Sequence, residues 1–270
     1  MGLSHYVASI AVRSYEIGRF GIISTGTLLR YLEHIATEAS AAAGFPRAWY
    51  DERDSAWVVR QMTLEVERPI ILTDELTFDT WPSHYARIQA HREYLVSNEK
   101  DGRLLARARG HWVYVGRQHG LPIRLPAEFS EQAIPDAHSV TFAALPVLTP
   151  SHDVVPSFQQ SFIARSYEAD IVGHINNTIY MDWLEEAVHS TLAQLPDGVA
   201  LPEWAASGSR RSFLQRGTID YKKASAPGDW LRITTRLVGR YDGGLAWSQT
   251  IERVNSEEVI AEAETYWSWL

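Results

Sequence analysis

The chain contains no cysteine. Disulfides, thiol nucleophiles and cysteine metal sites are therefore excluded. It also has no apolar run near the roughly 18 residues that a membrane-spanning helix needs. The opening residues Met1-Gly2-Leu3-Ser4-His5-Tyr6 lack the basic-then-apolar order of a secretory signal, so a cytoplasmic setting is expected. Positive charge is scarce: 25 Lys and Arg stand against 33 Asp and Glu, and the formal charge of −8 argues against non-specific nucleic-acid binding. Ten histidines invite a metal reading, but no pair shows the close spacing of a dedicated zinc site, so neither metal nor cofactor is expected. Tryptophan is the one excess, with ten in 270 residues, a length that allows one large domain or two small ones.

An internal repeat decides between those two. Arg13-Ser14-Tyr15-Glu16 recurs 152 residues later as Arg165-Ser166-Tyr167-Glu168, and at the same shift Tyr31-Leu32-Glu33 falls on Trp183-Leu184-Glu185. Further on, Thr63-Leu64-Glu65-Val66 corresponds to Thr218-Ile219-Asp220-Tyr221, and Asp74 to Asp229, at a shift of 155. Each half then reads as a long helix followed by alternating, strand-like segments. In the first half the helix runs from about Thr27 to Ala43 and is ended by Gly44. The strands there are Trp57–Glu67, Glu75–Pro82, Arg87–Ser97 and Leu104–Val115. In the second half they are Ser212–Tyr221, Trp230–Val238, Ala246–Val254 and Val259–Leu270. Between the halves the chain is rich in proline and poor in periodicity, with a short helix expected near Glu128–Ala133. The predicted architecture is α+β: two tandem hot-dog domains, each a curled antiparallel sheet around a central helix, paired within one chain as a pseudo-dimer. The expected limits are 1–116 for the first domain, 117–158 for the linker and 159–270 for the second domain.

The chemistry is concentrated in Asp170-Ile171-Val172-Gly173-His174-Ile175-Asn176-Asn177, which leads into the second central helix. Asn is a favoured N-cap, so the helix is expected to begin near Asn176 or Asn177. A helix start offers free N–H groups and a positive dipole end to developing negative charge. A carboxylate, an imidazole and such a helix end within a few residues suit acyl transfer or hydrolysis. Taken singly, an Asp or His near a helix start is more often a cap or a solvated loop residue. At the 152 shift the first half carries Gly18, Ile22, Ser24 and Thr25 at these positions, so one active site per chain is expected, on the second half.

The Asp, Gly-His, paired Asn and following Tyr180 resemble the motif of hot-dog thioesterases. With two such domains, the chain resembles the acyl-carrier-protein (acyl-ACP) thioesterases of plants and bacteria over nearly its whole length. In this resemblance Ser14-Tyr15-Glu16-Ile17-Gly18 matches the opening strand, and Arg109-Gly110-His111-Trp112-Val113 a later one. It implies release of fatty acid from an acyl-ACP in fatty acid biosynthesis. Asp170 and His174 stand at the catalytic Asp and His, with Asn176 and Asn177 in oxyanion and positioning roles and Glu186 as a supporting acid. Val172 replaces the family's Asn two before the His, Ala224 its acidic residue and Ser225 the neighbouring Cys. The Gly173-His174 pair is closer to acyl-CoA thioesterases. Arg210, Arg211, Arg216, Lys222 and Lys223 would suit an acidic carrier protein or the phosphates of CoA, and equally an ordinary solvated sheet end. Trp49, Trp57, Trp81 and Trp112 read as an acyl tunnel or as plain core, the latter favoured. The alternatives are an acyl-CoA thioesterase, a hot-dog dehydratase, disfavoured because the first half lacks a matching His, and a non-catalytic acyl-binding protein. Association of two chains into a homodimer stays open.

Overall fold

The computed structural model of the protein describes residues 4–18, 20–150, 157–194 and 212–269. They fall into two units: the residues up to Ile23 with Thr27–Phe142, and Ser24–Gly26 with the residues from Ala143 onward.

The first unit contains β1 (Tyr6–Ala11), the long helix α1 (Thr25–Ala42), the short helix α2 (Arg47–Glu52), β2 (Ser55–Val66), β3 (Glu75–Tyr85), β4 (Gln89–Asn98), β5 (Leu104–Gly116) and the short helix α3 (Glu128–Gln132). The strands pair antiparallel in the order β1-β3-β4-β5-β2. Helix α1 buries Leu28, Leu32, Ile35 and Ala39, spaced three or four apart along one face. Leu32 and Ile35 are fully buried, each side chain contributing about 1.5–3 kcal/mol of transfer free energy. Along β3 the period is two, with Leu76, Phe78 and Thr80 inside and Thr77 and Asp79 half-exposed between them.

The second unit repeats this plan with β6 (Thr149–Pro150), β7 (Phe158–Ile163), helix α4 (Asn177–Gln194), β8 (Ser212–Tyr221), β9 (Trp230–Tyr241), β10 (Gly244–Arg253) and β11 (Val259–Trp269). Its order is β7-β9-β10-β11-β8, again antiparallel, with β6 adding to β9. The predicted long helices and the eight strands expected after them are present, and β8 coincides with its expected limits.

The repeat extends to individual hydrogen bonds. Asp74 accepts from Ile71 N at 2.9 Å and holds Arg68 through two bonds of 2.9 and 3.0 Å. Its counterpart Asp229 accepts from Ala226 N at 3.0 Å, Ser225 Oγ at 3.1 Å and Arg253 Nε at 3.1 Å. Each carboxylate closes the turn that feeds β3 or β9. Partial burial works against both charges, but the surrounding donors outweigh it and hold each carboxyl below its ordinary range.

Two expectations are corrected. Ser14–Glu16 belongs to a single 3₁₀ turn, not to the opening strand, which is β1. The cause is Glu16, whose carboxylate accepts the Arg13 amide at 2.8 Å and closes the chain on itself. Glu168 does the same to Arg165 at 2.6 Å. The segment after α3 is also more than a crossing. Asp136 N donates to Pro82 O at 2.9 Å, Trp81 Nε1 to His138 O at 2.8 Å and Arg109 Nη2 to Val140 O at 2.9 Å. Val140 N donates to Glu93 Oε2 at 3.2 Å. Glu93 is fully buried, and its other oxygen accepts from Ser83 Oγ and Arg109 Nε. Residues 136–140 are thus strapped to β3, β4 and β5.

Candidate active site

The loop before α4 is built by its backbone. Asp170 N donates to His174 O at 2.8 Å and Gly173 N to Asp170 O at 3.1 Å, while Ala169 and Ile175 form a bridge. Gly173 has φ of +90°, a conformation that a β-carbon resists, so glycine is required at this tight reversal. The first unit contains the same loop. There Gly18 N donates to Ile22 O at 2.9 Å, Gly21 N to Gly18 O at 3.0 Å, Ile17 bridges Ile23, and Gly21 has φ of +78°. The two loops also rest on equivalent partners, Ile23 N on Ile70 O and Ile175 N on Ser225 O.

Side chains distinguish the copies. Asp170 Oδ1 accepts from Val172 N at 2.8 Å and His174 N at 3.3 Å, so the carboxylate faces its own loop amides while remaining exposed. His174 is exposed, and its ring meets no partner among the described residues. Asn176 is the N-cap of α4: its Oδ1 accepts from Thr178 N at 2.8 Å and Thr178 Oγ1 at 2.6 Å. Its own amide is committed to Glu168 O at 3.0 Å. The Asn177 amide, by contrast, has no acceptor among the described residues, which leaves it as the donor at the helix start.

Beneath the loop lies a set of bonds that sequence reasoning missed. Glu168 Oε1 accepts from Trp183 Nε1 at 3.1 Å, and in the first unit Tyr31 OH donates to Glu16. The Tyr180 hydroxyl accepts the Ser225 amide at 2.9 Å, and burial pushes it up to about 12, so it stays neutral. Ser225 is buried with its hydroxyl committed to Asp229. The 152 shift pairing Glu16 with Glu168 was the signal that pointed here.

The remaining candidates are less concentrated. Glu186 is exposed well along α4 and accepts from Ser190 Oγ at 3.2 Å; among the described residues no hydrogen bond joins it to the loop. Lys222 pairs with Glu262 at 3.1 Å, and Lys223 is exposed beside it. Arg216 is half-buried and donates to Ala143 O. Arg210 and Arg211 lie outside the described residues.

The first unit holds a cavity of about 270 Å³, walled by Phe45, Tyr50, Trp57, Tyr85, Trp112 and Phe129. Two of the four expected tryptophans are therefore lining. Trp49 packs behind them against Phe45, Tyr50 and Phe129, and Trp81 is stacked on His5. Burial pushes the Tyr85 hydroxyl up to about 12. Arg47, Arg92 and Arg117 also line the cavity, so it suits a ligand with an apolar body and polar contacts to those cations.

Comparison with known proteins places this geometry. Residues 4–133 match the acyl-ACP thioesterase N-terminal domain, and residues 164–266 match the thioesterase-like superfamily. The structure resembles a crystallised acyl-ACP thioesterase from Bacteroides thetaiotaomicron, with a TM-score of 0.75, 18% identity, and coverage of 98% of either chain. It resembles the 12:0-ACP thioesterase from Umbellularia californica equally well, with a TM-score of 0.75, 21% identity, and coverage of 97% of this chain and 93% of the other. A chloroplastic acyl-[acyl-carrier-protein] hydrolase of Cuphea viscosissima is 26% identical over 87% of this chain. The chain spans 59% of the length of that plant protein. The protein thus has the tandem hot-dog fold, and each half matches a thioesterase family model. Its first half is similar to the acyl-ACP thioesterase N-terminal domain and its second to the thioesterase-like superfamily.

Proposed function

We propose that the protein hydrolyses fatty acyl thioesters, with acyl-ACP as the carrier form, and releases free fatty acid. The observation that carries this reading is the asymmetry of the two loops. One hydrogen-bonded scaffold occurs twice, and only the second copy presents a carboxylate and an imidazole. In the proposed reaction the thioester carbonyl oxygen accepts from the Asn177 amide at the positive end of α4. Asp170 takes a proton from water as the water oxygen bonds to the carbonyl carbon, or attacks that carbon directly to give an anhydride that water then opens. The C–S bond breaks and the thiolate leaves, taking a proton from the His174 imidazolium. Asn176 holds the helix start in place. The apolar-walled cavity within the first unit is read as an acyl-chain pocket.

The carrier reading draws on the family that the first half resembles and on the exposed Lys222 and Lys223. Arg216 and, on sequence grounds, Arg210 and Arg211 extend that basic set. An acyl-CoA thioesterase is the second reading, favoured by Gly173 before His174 and by Ala224 in place of the family's acid. The deciding experiment measures thiol release from acyl-ACP and acyl-CoA of matched chain length. Release from acyl-ACP at higher kcat/KM supports the first reading, and preference for acyl-CoA supports the second. Absence of turnover with tight analogue binding would leave an acyl-binding protein. In the same preparation, calorimetric titration with a non-hydrolysable acyl thioester should give about one site per chain. Two equivalent sites would refute the asymmetry.

A further inference from the structure

A single ring stands between two hollows of the first unit. Phe129, on the short helix α3, lines the 270 Å³ cavity and also a second hollow of about 500 Å³, which is bordered by Ala86, Arg87, Leu125 and Pro126. Tyr85 is the other residue common to both. Phe129 is only 3% exposed. On the cavity side its ring meets Phe45 at 4.3 Å between centroids, Trp57 at 5.4 Å and Tyr50 at 6.3 Å. Away from the cavity lining it meets Trp49 at 5.2 Å and Tyr114 at 5.5 Å. The ring and Tyr85, 6.4 Å apart, form a partition.

Tyr85 ends β3, but Phe129 is mounted on the inter-half segment. Leu125 N donates to Arg87 O at 2.9 Å, so α3 is tied to the reversal between β3 and β4. Ala133, at the other end of α3, lines the cavity as well. The residue that closes the cavity therefore comes from a part of the chain outside the repeated hot-dog plan, and among the described residues nothing in the second half mirrors it.

We infer that Phe129 is the stop that sets the longest acyl chain the protein accepts, an inference that rests on the cavity's role in the proposed function. The 270 Å³ cavity admits only a limited number of methylenes before the chain meets the partition. Removing the ring joins the cavity to the second hollow and gives a longer chain an exit between Ala86 and Leu125. One methylene in an apolar pocket changes discrimination by about tenfold or more, so the boundary should be sharp.

The test compares wild type with Phe129→Ala and Phe129→Leu over a graded series of saturated acyl-ACPs, and separately over chain-brominated fatty acids. Binding of the latter is read by quenching of the tryptophans that line the cavity. Phe129→Ala should raise kcat/KM for chains beyond the wild-type limit by about tenfold relative to chains within it. The brominated series should lengthen in parallel, with Phe129→Leu in between. If Phe129→Ala does not fold, the Leu variant decides alone. A folded variant that loses activity and binding evenly at all lengths would overturn the stop and leave Phe129 as packing. If no thioester is cleaved but the binding limit still shifts, the hydrolase reading fails and the stop survives.

Discussion

Replacing Asp170 by Asn separates the two tasks the structure gives this carboxylate. One oxygen accepts from the Val172 and His174 amides, at 2.8 and 3.3 Å, and an Asn Oδ1 can accept both. The loop should therefore keep its shape, and the loss of negative charge near the start of α4 should cost only about 0.3–1 kcal/mol. The chemistry should not survive, because an amide cannot take a proton from water. Loss of a general base lowers turnover by about a hundredfold or more, equivalent to roughly 2.7 kcal/mol of transition-state stabilisation. Asp170→Ala is the contrasting perturbation. It removes both acceptor bonds, and at about 0.5–1.5 kcal/mol each it should lower stability by about 1–3 kcal/mol, with the exposed setting favouring the lower end. The assay pairs thiol release from acyl-ACP with denaturant unfolding of all three proteins. Near-normal turnover in Asp170→Asn would remove Asp170 from the reaction. An Asn variant as unstable as the Ala variant would refute the claim that the oxygen, not the charge, holds the loop.

Three further outcomes are expected. His174→Ala should depress kcat more than it raises KM, since the exposed ring has no structural partner among the described residues; a change confined to KM would make it a binding group only. Asn176→Ala should destabilise the second unit by about 0.5–2 kcal/mol in chemical denaturation, through loss of the cap on Thr178 N, and Asn176→Asp should restore most of it. The last concerns pH. Burial pulls the His5 imidazole down, but hydrogen bonds to Asp79 at 2.8 Å and Asp136 at 3.1 Å, with their charges, outweigh it and hold the ring above its ordinary value. His138 and Trp81 are the other groups against this cluster. A folded value above the unfolded one, about 6.5, means that the contribution is complete below about pH 6.5 and fades as pH rises through the folded value. His5→Ala should therefore lower stability more at about pH 6 than at about pH 9, and an equal loss at both would remove the ion pairs from the explanation.

The long elements were legible because they are periodic: α1 shows its buried face every three or four residues and β3 every second one. The candidate site was legible because it is contiguous, from Asp170 to Asn177. Elements too short for a period were not. Helix α2 has six residues, and the 3₁₀ turns read as strand until the Glu16 and Glu168 side chains are seen folding back on them. The cavity could be read only in part, through Trp57 and Trp112, because its wall is assembled from α1, α2, α3 and four strands. No window of sequence holds Phe45, Trp112 and Phe129 together. The linker misled for a related reason: its proline-rich composition suggests a tether, whereas its bonds to Pro82, Glu93 and Arg109 are each made across tens of residues.

The twin loops bear on how such a protein gains or loses chemistry over time. Both are held by backbone bonds and a glycine at Gly21 or Gly173, so their shape does not depend on the residues that differ between them. A β-carbon at Gly18 would meet only Ile22 O, at 3.6 Å, an ordinary contact. After a duplication, either copy could therefore fall silent through side-chain substitution alone, without passing through a misfolded ancestor. The silent copy is a retained chassis, and the distance between a spectator domain and a reactive one is a few codons.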